Sequence, residues 1–227
     1  MCKKLICLVT FVLVLSMIPT RSASAADPNL LGWWKLDEGS GTTAYDSSGN
    51  GNDGTLNGDP QWVAGKYGGA LDFDGDDYVQ LPDMGNHEAV TIELWWKLLD
   101  HIVDFAGFVT APTSDAGMIH FKINWDGKTV TANKLDAGQV STEEKTWEDW
   151  EDQWFHTAFT CDTKNDELKL YMDGELIDTD SAGTTPVNLT GHMIAREKEG
   201  RYFHGIIDDV RIYSRALSAD EILSRNA

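Results

Sequence analysis

The segment DSSGNGNDG, residues 46–54, contains only small and polar residues, several of which supply oxygen ligands to calcium in other proteins. Asp46, Ser48 and Asn50 repeat the spacing of positions 1, 3 and 5 of an EF-hand loop. Position 12 of such a loop falls on Asn57, which cannot supply a bidentate carboxylate, and no flanking helices are indicated. The segment therefore predicts either a simple turn or an incomplete calcium site that needs carboxylates from elsewhere.

Two acids outside this segment are candidates for the missing carboxylates. Asp208 alternates in phase with Val210 and Ile212, and Glu38 alternates in phase with Trp34. An acid on the apolar face of a strand is costly unless it is paired or bound to a metal. If the first and last strands pair, Asp208 would meet the 46–54 segment. The predicted ligands of one structural calcium ion are Asp46, Asn50, Asn52, Asp208 and Glu38. The alternative is a surface turn, with Asp208 bonded to backbone amides.

A second acidic cluster, DFDGDD at residues 72–77, is interpreted as a tight turn with solvated charges rather than as a second cation site. The segment WEDWEDQW, residues 147–154, places tryptophans among acids. Aromatic rings with a few polar groups are typical of small-ligand sites. Trp147 and Trp150 are therefore the predicted ligand-binding residues. The alternative is that they cover one end of the core, as is expected of Trp154.

The first 25 residues have the pattern of a secretory signal peptide. Lys3 and Lys4 precede an apolar run at 5–18, and small residues follow at 23–25. The run is shorter than the roughly 20 residues that a membrane span needs. We expect residues 26–227 to form one exported domain, secreted or at the cell surface, without a membrane span.

The exported part is strongly acidic. Removal of Lys3, Lys4 and Arg21 leaves 15 of the 18 basic residues against 37 acidic ones, a net charge of −22. Such a surface disfavours nucleic acid and anionic membranes as partners. Cys161 is the one cysteine outside the leader, so no internal disulfide is expected.

Strand signals recur along the chain and helical periodicity is nearly absent. VTIELWWKL, residues 90–98, alternates apolar and other residues over nine positions. Asp173 and Gly174 have the composition of a two-residue hairpin turn. Ser218 and Glu221 have capping-box spacing and predict one short C-terminal helix. The chain is thus predicted to be an all-β antiparallel sandwich that ends in a short helix.

Several segments, in this order, resemble laminin-G-like jelly-roll domains of the concanavalin A-like lectin/glucanase superfamily. They are LLGWWKLDEGSGTTAYDSSGNGNDGTL, GALDFDGDDYVQLP, VTIELWWK, WFHTAFTCDTKNDELKLYMDGELI and FHGIIDDVRIYSRALSADEI. The resemblance implies two curved antiparallel sheets packed face to face, with adjacent first and last strands. It also implies a mostly non-catalytic extracellular module that binds carbohydrate or protein, often with one structural calcium ion.

No catalytic residues are predicted. Retaining glycosidases need two carboxylates about 5–5.5 Å apart, and the Glu-x-Asp-x-x-Glu pattern of the laminarinase-type members is missing from the sequence. The function expected is a secreted, calcium-stabilised, carbohydrate-binding module whose partner is an extracellular or cell-surface polysaccharide. The alternative is a structural or adhesive protein that binds another surface protein, with a glycoside hydrolase a distant third.

Overall fold

The computed structural model describes residues 27–99, 106–124, 128–198 and 200–226. The predicted signal peptide, residues 1–25, lies outside these residues. Within the described part of the chain, no helix has the length and apolar character needed to cross a membrane.

Short strands make up most of the described chain. The first ten are β1 Leu30–Trp34, β2 Thr43–Ala44, β3 Gly54–Asn57, β4 Gln61–Ala64, β5 Gly69–Asp74, β6 Tyr78–Gln80, β7 Asn86–His87, β8 Ala89–Leu98, β9 Ala106–Thr110 and β10 Ile119–Ile123. They are followed by β11 Val130–Lys134, β12 Gln139–Ser141, α1 Trp147–Trp150, β13 Trp154–Asp162, β14 Glu167–Met172, β15 Glu175–Asp180, β16 Val187–Asn188, β17 Met193–Ile194, β18 Arg196–Glu197, β19 Arg201–Tyr202, β20 His204–Tyr213 and α2 Ala219–Arg225.

The strands form two large antiparallel sheets. Sheet I has the order β15-β14-β13-β8-β20-β5-β4, and β1 also pairs with β20. Sheet II has the order β12-β11-β10-β9-β17-β6-β3-β2. Two small ladders, β7 with β16 and β18 with β19, complete the described strands. The predicted antiparallel jelly-roll sandwich with a short C-terminal helix is confirmed, and the first and last strands are adjacent.

Strand β8 lies at the centre of sheet I and carries the predicted alternation. Val90, Ile92, Leu94, Trp96 and Leu98 all lie in the core between the two sheets. The residues between them, such as Glu93 and Trp95, are also buried, because other parts of the chain cover the outer face of sheet I. Strand β8 is therefore buried on both faces, and its polar side chains need partners within the protein.

The local turn and cap predictions are confirmed. Asp173 and Gly174 have φ angles of 49° and 82°, which suits the two positive φ values of a type I′ turn between β14 and β15. The side chain of Ser218 accepts a hydrogen bond from the Glu221 amide, and the Glu221 side chain accepts one from the Ser218 amide. This capping box starts α2 at the predicted position.

Strand β20 departs from simple alternation. Its pairing with β8 shifts between Asp208 and Arg211, and Asp209 has a φ of 50°. Such a bulge inserts a residue and reverses which side chains face inward. Val210 and Ile212 therefore lie in the core with Ile207, and Asp208 lies on the outer face instead. The prediction that Asp208 shares the face of Val210 and Ile212 is wrong.

Acid should destabilise the sandwich partly through His192. This side chain is fully buried, and neither ring nitrogen has a hydrogen-bond partner among the described residues. Burial lowers the pKa of His192 to about 4, whereas an unfolded imidazole titrates near 6.5. Between about pH 6.5 and pH 4, His192 is therefore protonated in the unfolded chain and neutral in the folded chain. The free energy of unfolding decreases as the pH falls through this range.

The free energy of unfolding of the wild type should fall between pH 7 and pH 4.5. We expect this fall to be about 2–3 kcal/mol smaller in His192→Leu. Urea denaturation at the two pH values measures this difference. Equal losses in the two proteins would show that His192 does not contribute to acid destabilisation.

Candidate functional site

The carboxylate of Asp46 accepts hydrogen bonds from its own turn and from strand β1. One oxygen, Oδ1, accepts the backbone amides of Trp33 at 3.0 Å and Ser48 at 2.8 Å. The other, Oδ2, accepts the Asn52 amide at 3.0 Å and the Ser48 hydroxyl at 2.7 Å. Burial alone would raise the pKa of Asp46, but these hydrogen bonds outweigh it and hold the pKa below its usual value. Asp46 therefore acts as the organiser of a turn.

The two asparagines of the same segment fasten it to β1. Nδ2 of Asn50 donates to the Leu30 carbonyl at 2.7 Å, and Nδ2 of Asn52 donates to the Leu31 carbonyl at 2.8 Å. The 46–54 segment is thus a hydrogen-bonded turn clamped against the first strand. These bonds occupy the carboxylate of Asp46 and the side-chain NH2 groups of Asn50 and Asn52, and the calcium ligation predicted for the three residues stays a prediction.

Glu38 uses one of its two carboxylate oxygens in a hydrogen bond. Its Oε1 accepts the Tyr45 amide at 2.8 Å, and its buried Oε2 has no hydrogen-bond partner in the described chain. Strand β1 ends at Trp34 and Leu36 has a φ of 58°, so Glu38 does not belong to a regular strand as predicted. Trp34 and Leu36 are nevertheless both buried, and Oε2 of Glu38 is buried as well, so the predicted inward direction of this side chain is retained.

Asp208 lies beside a different loop from the one predicted. Its Oδ2 accepts the Tyr67 amide at 2.9 Å, and its Oδ1 has no hydrogen-bond partner within the described residues. Asp208 is fully buried, and this burial raises its pKa to about 7. The structure does not bring Asp208 to Asp46, because the bulge in β20 directs it toward residues 65–69.

One group of three acids in the described ranges has ligand atoms within 4.8 Å of one another, namely Asp59, Asp76 and Asp77. It contains none of the five predicted calcium ligands. Asp77 is buried and accepts the Asp59 amide at 2.7 Å and the Asp74 amide at 3.2 Å. These bonds make Asp77 the acceptor that closes a turn, as interpreted for the 72–77 segment, but its charge is buried and not solvated as that interpretation expected.

Trp150 belongs to the core. It is 1% exposed, and its ring centroid lies 5.5 Å from that of Trp96 and 5.2 Å from that of Phe155. Its predicted contact with a ligand is therefore wrong, because the ring covers the end of the sandwich above Trp96. Helix α1 also includes Trp147, whose side chain lies outside what the structure describes. Trp154 is half-buried.

A pocket of about 570 Å³ opens on the outer face of sheet I. We call it the sheet I pocket. Its walls come from β1 and the residues after it, the 65–69 loop, β20 and α2. The lining residues are Trp33, Lys35, Asp37, Tyr67, Gly68, Asp208, Asp209, Arg211, Ser224 and Arg225.

A buried carboxylate lies behind this wall. Oε1 of Glu93 is 3.2 Å from Nε of Arg225, 3.5 Å from a terminal nitrogen of Arg211 and 3.3 Å from the Tyr213 hydroxyl. The other terminal nitrogen of Arg211 is 2.7 Å from Asp209 Oδ2. One acid of β8 therefore fixes side chains of β20 and of the C-terminal helix.

The charges in this group shift one another's pKa. Burial raises the pKa of Glu93, against the opposing effect of Arg225 and Arg211. Burial alone would lower the pKa of Arg211, but Asp209 and Glu93 outweigh it and raise the pKa. The Arg211 guanidinium therefore stays charged, and its contacts fix it as a hydrogen-bond donor.

The pocket also has aromatic surface. Tyr67 is 41% exposed and stands edge-on to Trp95, with 5.8 Å between ring centroids. The Trp33 ring is in contact with two cations, Lys35 Nζ at 4.3 Å and the Arg211 guanidinium at 4.7 Å from its centroid. An exposed ring beside fixed donors and acceptors can bind a ligand that has both apolar faces and hydroxyl groups.

Buried polar atoms without partners also concentrate on this face. Asp208, Trp95 and His156 are direct neighbours across β20, β8 and β13. Each has one buried side-chain atom that lacks a hydrogen-bond partner in the described chain, and so does Glu93. Unpartnered buried groups that gather in one place mark a candidate site for water, an ion or a ligand.

The sequence did not reveal this pocket. Its residues come from four separate segments and form no motif. One signal was present in VTIELWWKL, where Trp95 and Glu93 occupy positions that a one-sided strand would expose. A tryptophan on that face indicates that something covers it.

A family model of the concanavalin A-like lectin/glucanases superfamily, laminin G type, matches residues 73–223. The chain belongs to this family. No curated protein sequence matches the chain significantly.

Solved structures show the same fold. Domain 4 of AbnA, a GH43 extracellular arabinanase from Geobacillus stearothermophilus, was solved in complex with arabinotriose. It is 21% identical with a TM-score of 0.71, over 88% of this chain and 98% of that one. At this identity the likeness shows the fold alone.

Two botulinum neurotoxin binding domains are also similar. One, of neurotoxin DC in complex with rat synaptotagmin II, is 14% identical with a TM-score of 0.68, over 89% of this chain and 52% of that one. The other is a structure of botulinum neurotoxin type C, whose cell entry depends on interaction with two ganglioside molecules. It is 15% identical with a TM-score of 0.66, over 87% and 50%. The chain spans about half the length of these toxin chains.

The role of Asp46 in its turn can be tested against a neighbour. Asp46→Ala removes four hydrogen bonds, and we expect a loss of about 2–3 kcal/mol in the free energy of unfolding. Asp53→Ala is the control, because Asp53 accepts one backbone amide of the same turn. It should cost about 1 kcal/mol or less. Equal losses in chemical denaturation would contradict the role assigned to Asp46.

Proposed function

We propose that this chain is a non-catalytic carbohydrate-binding module that acts outside the cell and binds its glycan in the sheet I pocket. The observation that carries the proposal is the exposed ring of Tyr67 among fixed charged donors and acceptors. Sugar rings have apolar C–H faces and hydroxyl edges, so they suit an aromatic surface rimmed by polar groups.

The comparisons support a binding role. The arabinanase domain of the same fold was solved with arabinotriose, and the type C neurotoxin interacts with gangliosides. The extracellular location of that arabinanase agrees with the export expected from the N-terminal sequence. The partner we propose is therefore an extracellular or cell-surface polysaccharide.

A non-catalytic role agrees with how two acids near the pocket, Glu93 and Asp209, are bound. Glu93 contacts two arginines, and Asp209 accepts a hydrogen bond from Trp33 Nε1 and pairs with Arg211. A glycosidase needs one carboxylate that protonates the leaving oxygen and another that attacks or activates water. Acids held in ion pairs by fixed guanidinium groups are poorly suited to either task.

Tyr67 provides the direct test of glycan binding. We expect Tyr67→Ala to weaken binding about tenfold, since loss of an aromatic contact costs about 0.5–1.5 kcal/mol beyond the area it buries. Isothermal titration with arabinotriose and a panel of other oligosaccharides measures the change. The control is Tyr45→Ala, because Tyr45 is 59% exposed and does not line the pocket.

Two results would contradict the proposal. Equal weakening by Tyr45→Ala would place the binding site elsewhere. A wild-type protein that binds no glycan in an array would favour the alternative function, in which the ligand is another surface protein.

We also infer that a structural calcium ion binds at Asp208 rather than at the 46–54 segment. Asp208 is fully buried with a partnerless Oδ1, so its charge needs compensation. The Gly65 backbone packs closely against this carboxylate: a Cβ there would clash with Asp208 Oδ2 at 2.6 Å and with the Gly69 carbonyl oxygen at 2.3 Å, so the two oxygens lie near each other. Calcium accepts carboxylate and backbone carbonyl oxygens together. Asp208 and the carbonyls of the 65–69 loop would hold the ion, whose charge would neutralise the buried acid.

If calcium binds at Asp208, calcium should stabilise the folded protein, and this stabilisation should require the Asp208 side chain. Calcium at about 100 times its dissociation constant should add about 2.7 kcal/mol, which raises the melting temperature by about 5–10 °C in a domain of this size. We expect Asp208→Asn to abolish the rise and Asp46→Ala to keep it. A calorimetric scan of chelator-treated protein, with and without calcium, measures both.

The opposite pattern, in which Asp46→Ala removes the calcium effect and Asp208→Asn retains it, would return the site to the 46–54 segment. A melting temperature that calcium leaves unchanged in the wild type would exclude both locations.

A further inference from the structure

Both arginines of the sheet I pocket are already engaged by the protein. The two terminal nitrogens of Arg211 contact different acids, Glu93 at 3.5 Å and Asp209 at 2.7 Å. For Arg225, Nε contacts Glu93 at 3.2 Å, and a terminal nitrogen donates to the Glu221 carbonyl at 3.0 Å. An arginine recognises a carboxylate best when two parallel N–H groups are free to form a fork. These contacts occupy the fork of Arg211 and part of the fork of Arg225.

The acidic groups around the pocket also outnumber the basic ones. Glu93 and Asp209 oppose the two arginines, and Lys35 and Asp37 add one charge of each sign to the lining. Asp208 is a further acid. In the absence of calcium, four acids oppose three basic side chains at the pocket, so no excess of accessible positive charge is available to attract an anionic group.

The rest of the chain repels anions. The exported part has a net charge of −22, and such a field opposes the approach of polyanions over about one Debye length, roughly 8 Å at physiological salt. A ligand with a carboxylate on each sugar would be repelled by this field. It would also find the arginines of the pocket already paired with acids of the protein. A neutral sugar would meet neither obstacle and could accept hydrogen bonds from the remaining N–H groups.

We propose that the sheet I pocket selects neutral sugar units and excludes uronic acids, because Glu93 and Asp209 neutralise the arginines that line it. Glu93 is the specificity-determining residue, acting through Arg211 and Arg225 rather than by touching the ligand. This inference rests on the proposed carbohydrate-binding function and names the substrate class of that site.

The test compares neutral and acidic glycans on the full exported chain in the presence of a chelator, so that no calcium ion adds positive charge at Asp208. The probes are arabinan and galactan as neutral polymers and polygalacturonate as the acidic one, in affinity electrophoresis and isothermal titration. We expect wild-type protein to bind at least one neutral polymer and to bind polygalacturonate at least tenfold more weakly. Binding of the neutral polymer should change less than about twofold between 50 and 500 mM NaCl, because no net charge is neutralised.

Glu93→Gln tests the mechanism directly. It keeps the size of the side chain and removes the charge that neutralises both arginines, so the affinity for polygalacturonate should rise about tenfold. The matched control is Glu167→Gln, which removes one negative charge from an exposed pair with Lys169 outside the pocket. This control should leave both affinities unchanged. If Glu93→Gln fails to fold, Asp37→Asn at the pocket lining is the second variant, with an expected gain of about threefold.

The outcomes separate this inference from the function on which it rests. Polygalacturonate bound by the wild type as tightly as the neutral polymers would overturn the neutral-sugar inference and leave carbohydrate binding intact. Failure of every polymer to bind would overturn the proposed function itself. An equal gain in Glu167→Gln and Glu93→Gln would show that net charge alone, and not the Glu93 contacts, sets the preference.

Discussion

The buried carboxylate of Glu93 is the interaction on which the outer face of sheet I depends. It belongs to the central strand β8, which is buried on both sides and cannot leave a charge without partners. Arg211 from β20 and Arg225 from α2 supply those partners. The same contacts hold the C-terminal helix against the sheet and give the pocket a rigid wall. Loss of either arginine would leave an acid uncompensated in a low-dielectric environment, which is far more costly than a broken surface ion pair.

The bulge in β20 is the second determinant of the site. One residue with a positive φ, Asp209, separates a regular half of the strand from the half that pairs with β1. Val210 and Ile212 remain in the core, whereas Asp208 and Arg211 come to the outer face together with Asp209. Bulges often re-aim side chains at functional sites. Here a single inserted residue places three charged groups where a regular strand would have turned some of them inward.

Features that depend on neighbouring residues were predicted correctly. The alternation of β8, the Asp173–Gly174 turn and the Ser218–Glu221 capping box each involve only a few consecutive residues. The errors arose where a local pattern was extended through an irregularity. Regular alternation assigned Asp208 to the inner face of β20, although the bulge places it on the outer face. The acids around Trp150 suggested a ligand surface, although its ring packs in the core against Trp96. Neither outcome is encoded locally, because each depends on what packs against the side chain.

The sequence by itself determined the family, the antiparallel sandwich, the central strand and the acidic character of residues 26–227, because periodicity, turn residues and composition are local or additive properties. Only the tertiary structure decided which polar groups meet. It bound Asp46 to its own turn and to strand β1, placed Asp208 beside the 65–69 loop and gathered four distant segments around the sheet I pocket. The physical reason is that a site of this kind is built from contacts between strands and loops far apart in the chain, and their register and bulges arise only when the whole sandwich packs.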